Sequence, residues 1–575
     1  MSATATSATG GPSSAPSSSP ASSDEFAHIP LEAATKAREA LARVAAAPSE
    51  SDSHYLAFRR AVSRGELFFR ERGFMSEALF GAGLIDETGG PVGKLDAALA
   101  AGDRQATSDA AGEVDRALLL LTDSLRRSPA KRDLALSLLP RAAFALGAVF
   151  AGSRPGAAQS PAGVVADAQG LLDVIEEGVA AYSVLVSPSQ EFTAAATRLH
   201  GRIESLRTSL AAAEKRGELS DRAALVMVTA WLGADLRALL GPAAWKPYVP
   251  RVPSGAEPAG EPLSVLTLPV LRRATSGARA RETGQPDRLD DPQLASLGER
   301  LFSDKSLSPG GKRSCATCHL PEKGYADARA RPPSLDPTVL VLRHTPTLLY
   351  ASYHAAQFWD GRALTSEKQA LLVMHSRAEM GGTEGVFPRA DVATAQDAAI
   401  ALAAFQHQRL APATSPLDRF ARGDEQALTA EDRAGFDVFA GKGRCARCHV
   451  PPFFGGSHPP DFATPVYAAL GVPVSPTTKE LDPDKGRSAV SMRPLDQGAF
   501  KTPTVRDVAK TAPYFHNGTF PTLESVVDFY DGGGGRGLGL DVPNQDPDVR
   551  PLKLTPAEKR ALLRFLRVAL TDPEK

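Results

Sequence analysis

From about Ile29 to about Tyr248, apolar residues recur at helical spacing, and Ala, Leu, Arg and Glu dominate. "AAGEVDRALLLLTDSLRR" and "EFTAAATRLHGRIESLRTSLAAAEKR" carry this pattern plainly. Breaks such as "GGPVG" and "AGSRPGAAQSPAG" separate the periodic segments. The pattern predicts a bundle of roughly four to seven helices over 29–248. It contains no cluster of ligand residues, so a docking or scaffolding role suits it.

The character of the chain changes near Asp287. Short amphipathic helices now alternate with long Gly- and Pro-rich loops. "DPQLASLGERLFSD" and "LTAEDRAGFDVFAG" each precede a CxxCH pentad, and a third such helix, "LTPAEKRALLRFLRVAL", ends the sequence. The recurrence predicts an internal duplication of a small helical unit. Before it, "PYVPRVPSGAEPAGEP" opens a Pro/Gly-rich linker over 249–285. Residues 1–28 are rich in Ser, Ala, Thr and Pro and read as a disordered leader. They lack the basic start and apolar core of a signal peptide. The expected class is all-α throughout.

Composition narrows the function. The 575 residues include 65 Lys+Arg against 66 Asp+Glu, and no long basic run appears, which argues against nucleic-acid binding. No stretch of about 18 uncharged apolar residues appears, so no membrane span is expected.

All four cysteines fall in the two pentads, "CATCH" and "CARCH". CxxCH is the attachment signature of c-type haem. Two thiols separated by two residues reach the two vinyl groups of one porphyrin, and the adjacent His becomes the proximal iron ligand. A CxxC pair alone could be redox-active or half a zinc site, but both pairs carry the His and they lie too far apart for a zinc ribbon. The reading assigns Cys315, Cys318 and His319 to haem 1, and Cys445, Cys448 and His449 to haem 2. Two covalently bound haem c groups place the protein in the periplasm, since such attachment occurs outside the cytoplasm. The leader offers no independent support for that location.

Further stretches extend the pattern: "LFSDKSLSPGGKRSCATCH", "RHTPTLLYASYHAAQFWDGRA", "DKGRSAV" and "KTPTVRDVAKTAPYFHNGTFPTLESVVDFYDGGGG". Over roughly residues 286–570 the chain closely resembles the bacterial dihaem cytochrome c peroxidase/MauG family. The resemblance implies two cytochrome-c-like haem domains with long loops, 286–420 carrying a peroxide-reacting haem 1 and 421–575 carrying an electron-relaying haem 2. The helical bundle over 29–248 lies outside the family pattern and only vaguely resembles imelysin-like regions.

Residue roles follow from the resemblance. Trp359 matches a Trp between the haems, against the plainer reading of a packed core residue. Glu379 falls where a distal carboxylate stands over haem 1, against that of a solvated loop residue. The family's removable distal His is missing, because the corresponding loop "RPPSLDPTVLVL" holds none; haem 1 is therefore expected to be permanently open, as in MauG. Tyr530 falls where conventional cytochrome c peroxidases place an axial Met on haem 2, unless it is simply structural. His516 matches a position near haem 2, where it would hydrogen-bond behind an iron ligand. Arg362 and Arg506 are candidate propionate partners. Calcium stays open: carbonyls of Thr511 and Pro513 match ligand positions, but His344 replaces an oxygen-bearing Asn, and calcium wants oxygen. His354 and His375 read as surface or packed residues. Met374, Met380 and Met492 are ligand-capable, and Met380 reads as a pocket wall.

These expectations favour a dihaem peroxidase of MauG character. It would react with hydrogen peroxide at haem 1, share oxidising equivalents with a His/Tyr-ligated haem 2, and oxidise an electron donor or a side chain on a protein substrate. The alternatives are a conventional cytochrome c peroxidase fed by a small cytochrome, a dihaem electron carrier, and a haem-based redox sensor whose bundle docks a partner.

Overall fold

The computed structural model describes residues 28–46, 51–70, 90–127, 132–153, 160–185, 189–240, 288–457 and 464–573, with Phe26, Leu266 and Phe462 besides. The expected leader and linker lie almost wholly outside these residues. The described part is all-α but for one two-stranded ribbon.

Before residue 241, eight helices are described: α1 (His28–Ala46), α2 (Ser51–Arg70), α3 (Gly90–Ala101), α4 (Arg104–Arg127), α5 (Arg132–Phe150), α6 (Pro161–Leu185), α7 (Gln190–Arg216) and α8 (Arg222–Leu240). This exceeds the expected four to seven. The extra break lies at Gly102, which takes φ 68°, and Asp103, whose carboxylate accepts from Ala106 N at 2.9 Å to start α4. Helix α7 shows how the sequence sets its own limits. Ser189 caps its start by accepting from Phe192 N, and Gly217 ends it in the left-handed region at φ 73°. Between them Leu199, Ile203, Leu206 and Leu210 form one buried stripe, each worth about 1.5–3 kcal/mol.

Helix α8 is long and apolar enough to cross a membrane by length and composition, although Asp235 and Arg237 keep it from being an uncharged run. Its packing accounts for the composition. It lies against α5 and α7, with Leu232 and Leu236 fully buried, and its Asp235 binds Arg198 and Arg202 of α7 at 2.8 and 2.6 Å.

The later helices are α9 (Pro292–Ser303), α10 (Ser366–His375), α11 (Ala395–Arg409), α12 (Pro416–Ala421), α13 (Ala430–Ala440), α14 (Leu523–Asp531) and α15 (Pro556–Arg564). Strands β1 (Tyr467–Ala469) and β2 (Ala499–Lys501) pair antiparallel with Tyr467 opposite Lys501. Two packings repeat. Helix α9 crosses α11 with Gly298 against the Ala401 carbonyl, and α13 crosses α15 with Gly435 against the Ala561 carbonyl. A Cβ at either glycine would strike that carbonyl, so both crossings need the missing side chain. Each glycine-bearing helix leads into one CxxCH pentad, which is the structural form of the duplication.

The bundle docks on the second unit. Asp437 of α13 accepts from the backbone N–H groups of Asp221 and Arg222 at 2.8 Å each, so it caps α8 from outside. Arg222 in turn donates to the Phe150 carbonyl at 3.0 Å. One continuous apolar core joins Leu146, Val226 and Phe150 to Phe436, Phe439 and Phe565. Leu417 and Phe420 of α12, placed by the sequence reading at the end of the first haem unit, pack into this same core.

Candidate dihaem site

Both pentads begin as a single 3-10 turn, Cys315–Thr317 and Cys445–Arg447. In each, the His backbone N–H returns to the first Cys carbonyl, at 3.0 Å for His319 and 2.8 Å for His449. This closes the turn and presents two thiols and an imidazole together. None of the four thiols forms a disulfide. Before haem is attached, burial pushes the Cys315 and Cys445 thiols up to about 12, so attachment starts from neutral thiols.

The imidazoles are oriented by carbonyls. His319 Nδ1 donates to Tyr325 O at 3.0 Å, and His449 Nδ1 donates to Pro503 O at 3.0 Å. A carbonyl can only accept, so Nδ1 carries the proton and the Nε2 lone pair is free for a metal. Burial also pulls both imidazoles towards neutrality, His449 to about 4.

One cavity of about 710 Å³ reaches both pentads. Its wall is mostly apolar, and the four thiols and two imidazoles all lie on it. Large, apolar and edged by arginines, it fits two porphyrins held by thioether bonds and proximal imidazoles.

On the haem 1 side, Glu379 lines the cavity half-buried, and its charge acts on the Cys318 thiol. Burial raises the Glu379 pKa, while Arg362, a hydrogen bond with Ser376, and Arg313 oppose that rise. Met374 and Met380 are buried on the same wall. The loop expected to lack a distal His contributes Pro332, Val341 and Leu342. On the haem 2 side, Tyr530 of α14 lines the cavity against Phe515 and Phe529. Burial first, then the nearby Cys448 and Cys445 sulfurs, raise its phenol pKa.

Trp359 lies on the same cavity wall. Its Nε1–H donates to the His344 carbonyl at 2.9 Å, and its own carbonyl accepts from Lys501 N at 2.7 Å. Next to it, Asp360 joins Arg362 at 2.9 Å and Arg343 at 2.6 Å, and Arg343 also grips Asp484. The Arg362 guanidinium lies over Phe358 at 3.5 Å, on the cavity wall.

His516 stacks on Phe500 at 3.6 Å with Nε2 3.7 Å from Asp482, and its carbonyl accepts from His344 N at 2.7 Å. Burial works against ionisation of Asp482, yet bonds from His516 and Asn517 hold it below the usual carboxylate range. Thr511 and Pro513 lie on the cavity wall, but His344 uses Nδ1 on the Arg329 carbonyl at 2.9 Å. Among the described residues, no group of three or more His, Cys, Asp or Glu is placed to hold a metal ion.

Arg506 departs from expectation. It is fully buried off the cavity wall, bound to Asp418 at 2.9 Å and to the Pro452 carbonyl at 2.7 Å, so its charge is matched within the core. His375 is exposed and Met492 is 84% exposed, so neither is near the site. His354 sits on the cavity wall, edge-on to Phe453 at 4.4 Å and 3.2 Å from Lys501 Nζ. Sequence reasoning missed Lys501; its one signal was a lysine inside the otherwise uncharged run "GAFKTPT".

These features define a dihaem c-type oxidoreductase, with two attachment sites on one cavity whose wall also carries a carboxylate, a phenol and an indole. The family model described as di-haem cytochrome c peroxidase matches residues 292–387. The chain is similar to the cytochrome-c peroxidase IdrP1 of Pseudomonas sp. (strain SCT), 32% identical over 49% of this chain and 83% of that protein. It is similar to the methylamine utilization protein MauG of Methylorubrum extorquens, 31% identical over 49% of this chain and 79% of that one. Among solved structures it is similar to the diheme peroxidase BthA of Burkholderia thailandensis, 25% identical with a TM-score of 0.40, covering 49% of this chain and 87% of that one. The chain therefore belongs to the dihaem cytochrome c peroxidase/MauG family. It is a dihaem peroxidase, and it carries two covalently bound haem c groups.

Proposed function

We propose that this peroxidase is of the MauG type, with an open haem 1, a His449/Tyr530-ligated haem 2, and an electron donor or a protein side chain as the group finally oxidised. One observation carries the reading. Among the described residues, the cavity wall on the haem 1 side carries the carboxylate of Glu379, while the loop that would carry a distal His supplies Pro332, Val341 and Leu342.

The bound haems supply the iron that reacts with peroxide and stores oxidising equivalents. The protein supplies proton handling and electron routing. With haem 1 bound, Glu379 would accept a proton from hydrogen peroxide and give it back to the departing water, and its raised pKa suits it to both transfers. Trp359 is the relay: its indole is on the wall of the cavity that reaches both pentads, and the bond from Nε1–H to the His344 carbonyl holds the ring and stabilises positive charge on it. Tyr530 would hold haem 2 through a hard anionic oxygen, which would favour the ferric state and lower its potential. In this burial the phenolate persists only beside a cation such as iron. Arg362 is on the same wall, held by Asp360, and would be a further propionate partner there. The covalent attachment chemistry places this assembly in the periplasm.

The test is stopped-flow reaction of the ferric holoprotein with hydrogen peroxide. Glu379→Gln is expected to slow the reaction about 10²–10⁴-fold with both haems still attached. A wild-type rate in that variant would remove Glu379 from the chemistry.

A further inference from the structure

The cavity wall carries a polar pair that these roles do not use. Lys501, the last residue of β2, is 6% exposed and faces the cavity. Its Nζ lies 3.2 Å from Nδ1 of His354, 147 residues earlier in the chain. The neighbouring charges are those of bases. His354 feels Lys501 and His449, and Lys501 feels burial alone, which pulls its ammonium down to about 7. Among the described residues no carboxylate is paired with either side chain. Three other cavity-lining cations have carboxylate partners, Arg343 with Asp360 and Asp484, Arg362 with Asp360, and Arg444 with Asp548, and Arg313 donates to the Pro333 and Ser334 carbonyls. A buried ammonium beside two imidazoles therefore lacks a counter-charge in the protein, and a desolvated cation of this kind calls for one. The groups that enter this cavity bring carboxylates, two per haem.

We propose that Lys501 and His354 form the seat for a haem propionate, with Lys501 as its counter-cation and His354 as the group that holds the ammonium in place. The seat belongs to haem 2, because Lys501 stands two residues before Pro503, whose carbonyl accepts from His449 Nδ1 at 3.0 Å. It also touches the relay, because the Lys501 backbone N–H donates to the Trp359 carbonyl. The inference rests on the dihaem assignment but not on the Tyr530 ligand or on an open haem 1.

The test is a redox titration of haem 2 in holoprotein carrying Lys501→Met, Lys501→Arg or His354→Gln, at pH 6 and pH 9, with resonance Raman spectra of the propionate bending band. A lysine paired with a propionate stays charged at both pH values. Lys501→Met should then lower the midpoint equally at both, by about tenfold in the ferric/ferrous ratio, or 59 mV for one electron. Lys501→Arg should stay within about twofold of wild type. A Lys501→Met effect present at pH 6 and absent at pH 9 would show an unpaired lysine merely sharing a proton with His354, and would overturn the seat. So would an unchanged midpoint, or a midpoint that moves with added acetate, which would make the ligand a free carboxylate. If Lys501→Met fails to incorporate haem, His354→Gln decides: a shifted propionate band supports the seat and an unmoved band refutes it. Loss of Tyr530 ligation changes the spin state of haem 2 instead, so the two readings fail separately.

Discussion

Arg343 joins the two haem units, and Arg343→Met tests how much that joint is worth. The guanidinium is 13% exposed and makes two bonds to Asp484, at 2.7 and 2.9 Å, and one to Asp360 at 2.6 Å. Its partners are 7% and 4% exposed. Removing one partner of a buried ion pair costs about 3–5 kcal/mol, because the other charge is left stranded. Here the stranding is partial. Asp360 keeps Arg362 at 2.9 Å, and Asp484 keeps the Gly486 N–H at 2.9 Å. The expected loss is about 2–4 kcal/mol, read as a shift in urea midpoint at unchanged slope. The double variant with Asp484→Asn should show a coupling of at least about 1 kcal/mol. The pH dependence has a definite sign. Burial opposes ionisation of Asp484, but the bonds from Arg343 and Gly486 hold its pKa below the ordinary carboxylate range. Its contribution is therefore complete above that range and is lost as pH falls below it. Arg343→Met should flatten that acid limb. A loss under about 0.5 kcal/mol, with the acid limb intact, would refute the reasoning.

Other outcomes follow from the same contacts. The peroxide rate should rise with pH through the raised pKa of Glu379, because only the carboxylate accepts the peroxide proton, and Glu379→Gln should abolish that limb; a limb surviving in the variant would assign it elsewhere. Tyr530→Met should raise the haem 2 midpoint potential in a redox titration, and an unmoved midpoint would sink the tyrosinate assignment. Asp437→Ala removes the outside cap of α8 and should cost about 2 kcal/mol, with limited proteolysis then releasing the bundle; unchanged proteolysis would mean the apolar core alone holds it.

The pentads were legible because covalent attachment demands contiguous residues, and Cys315, Cys318 and His319 must follow one another whatever the fold. Helical periodicity likewise announced the all-α class, although it ran across Gly102 and Asp103, where one backbone angle and one carboxylate break the helix. Contacts between distant segments left no local trace. His354 meets Lys501 across 147 residues, and Asp437 caps Asp221 across 216. Arg506 shows the same limit from the other side: its place in a resemblance suggested a propionate, but burial against Asp418, Tyr350 and Phe454 commits it to the core. The shared core of bundle and second haem unit was hidden too, since an amphipathic helix reports that one face is covered and not by what.

The most direct measurement is the EPR spectrum of the ferric holoprotein before and after one equivalent of hydrogen peroxide. An open haem 1 beside a six-coordinate haem 2 predicts one high-spin and one low-spin signal, both lost together on adding peroxide. Two low-spin signals indifferent to peroxide would contradict the account and leave an electron carrier, or a peroxidase that must first be activated.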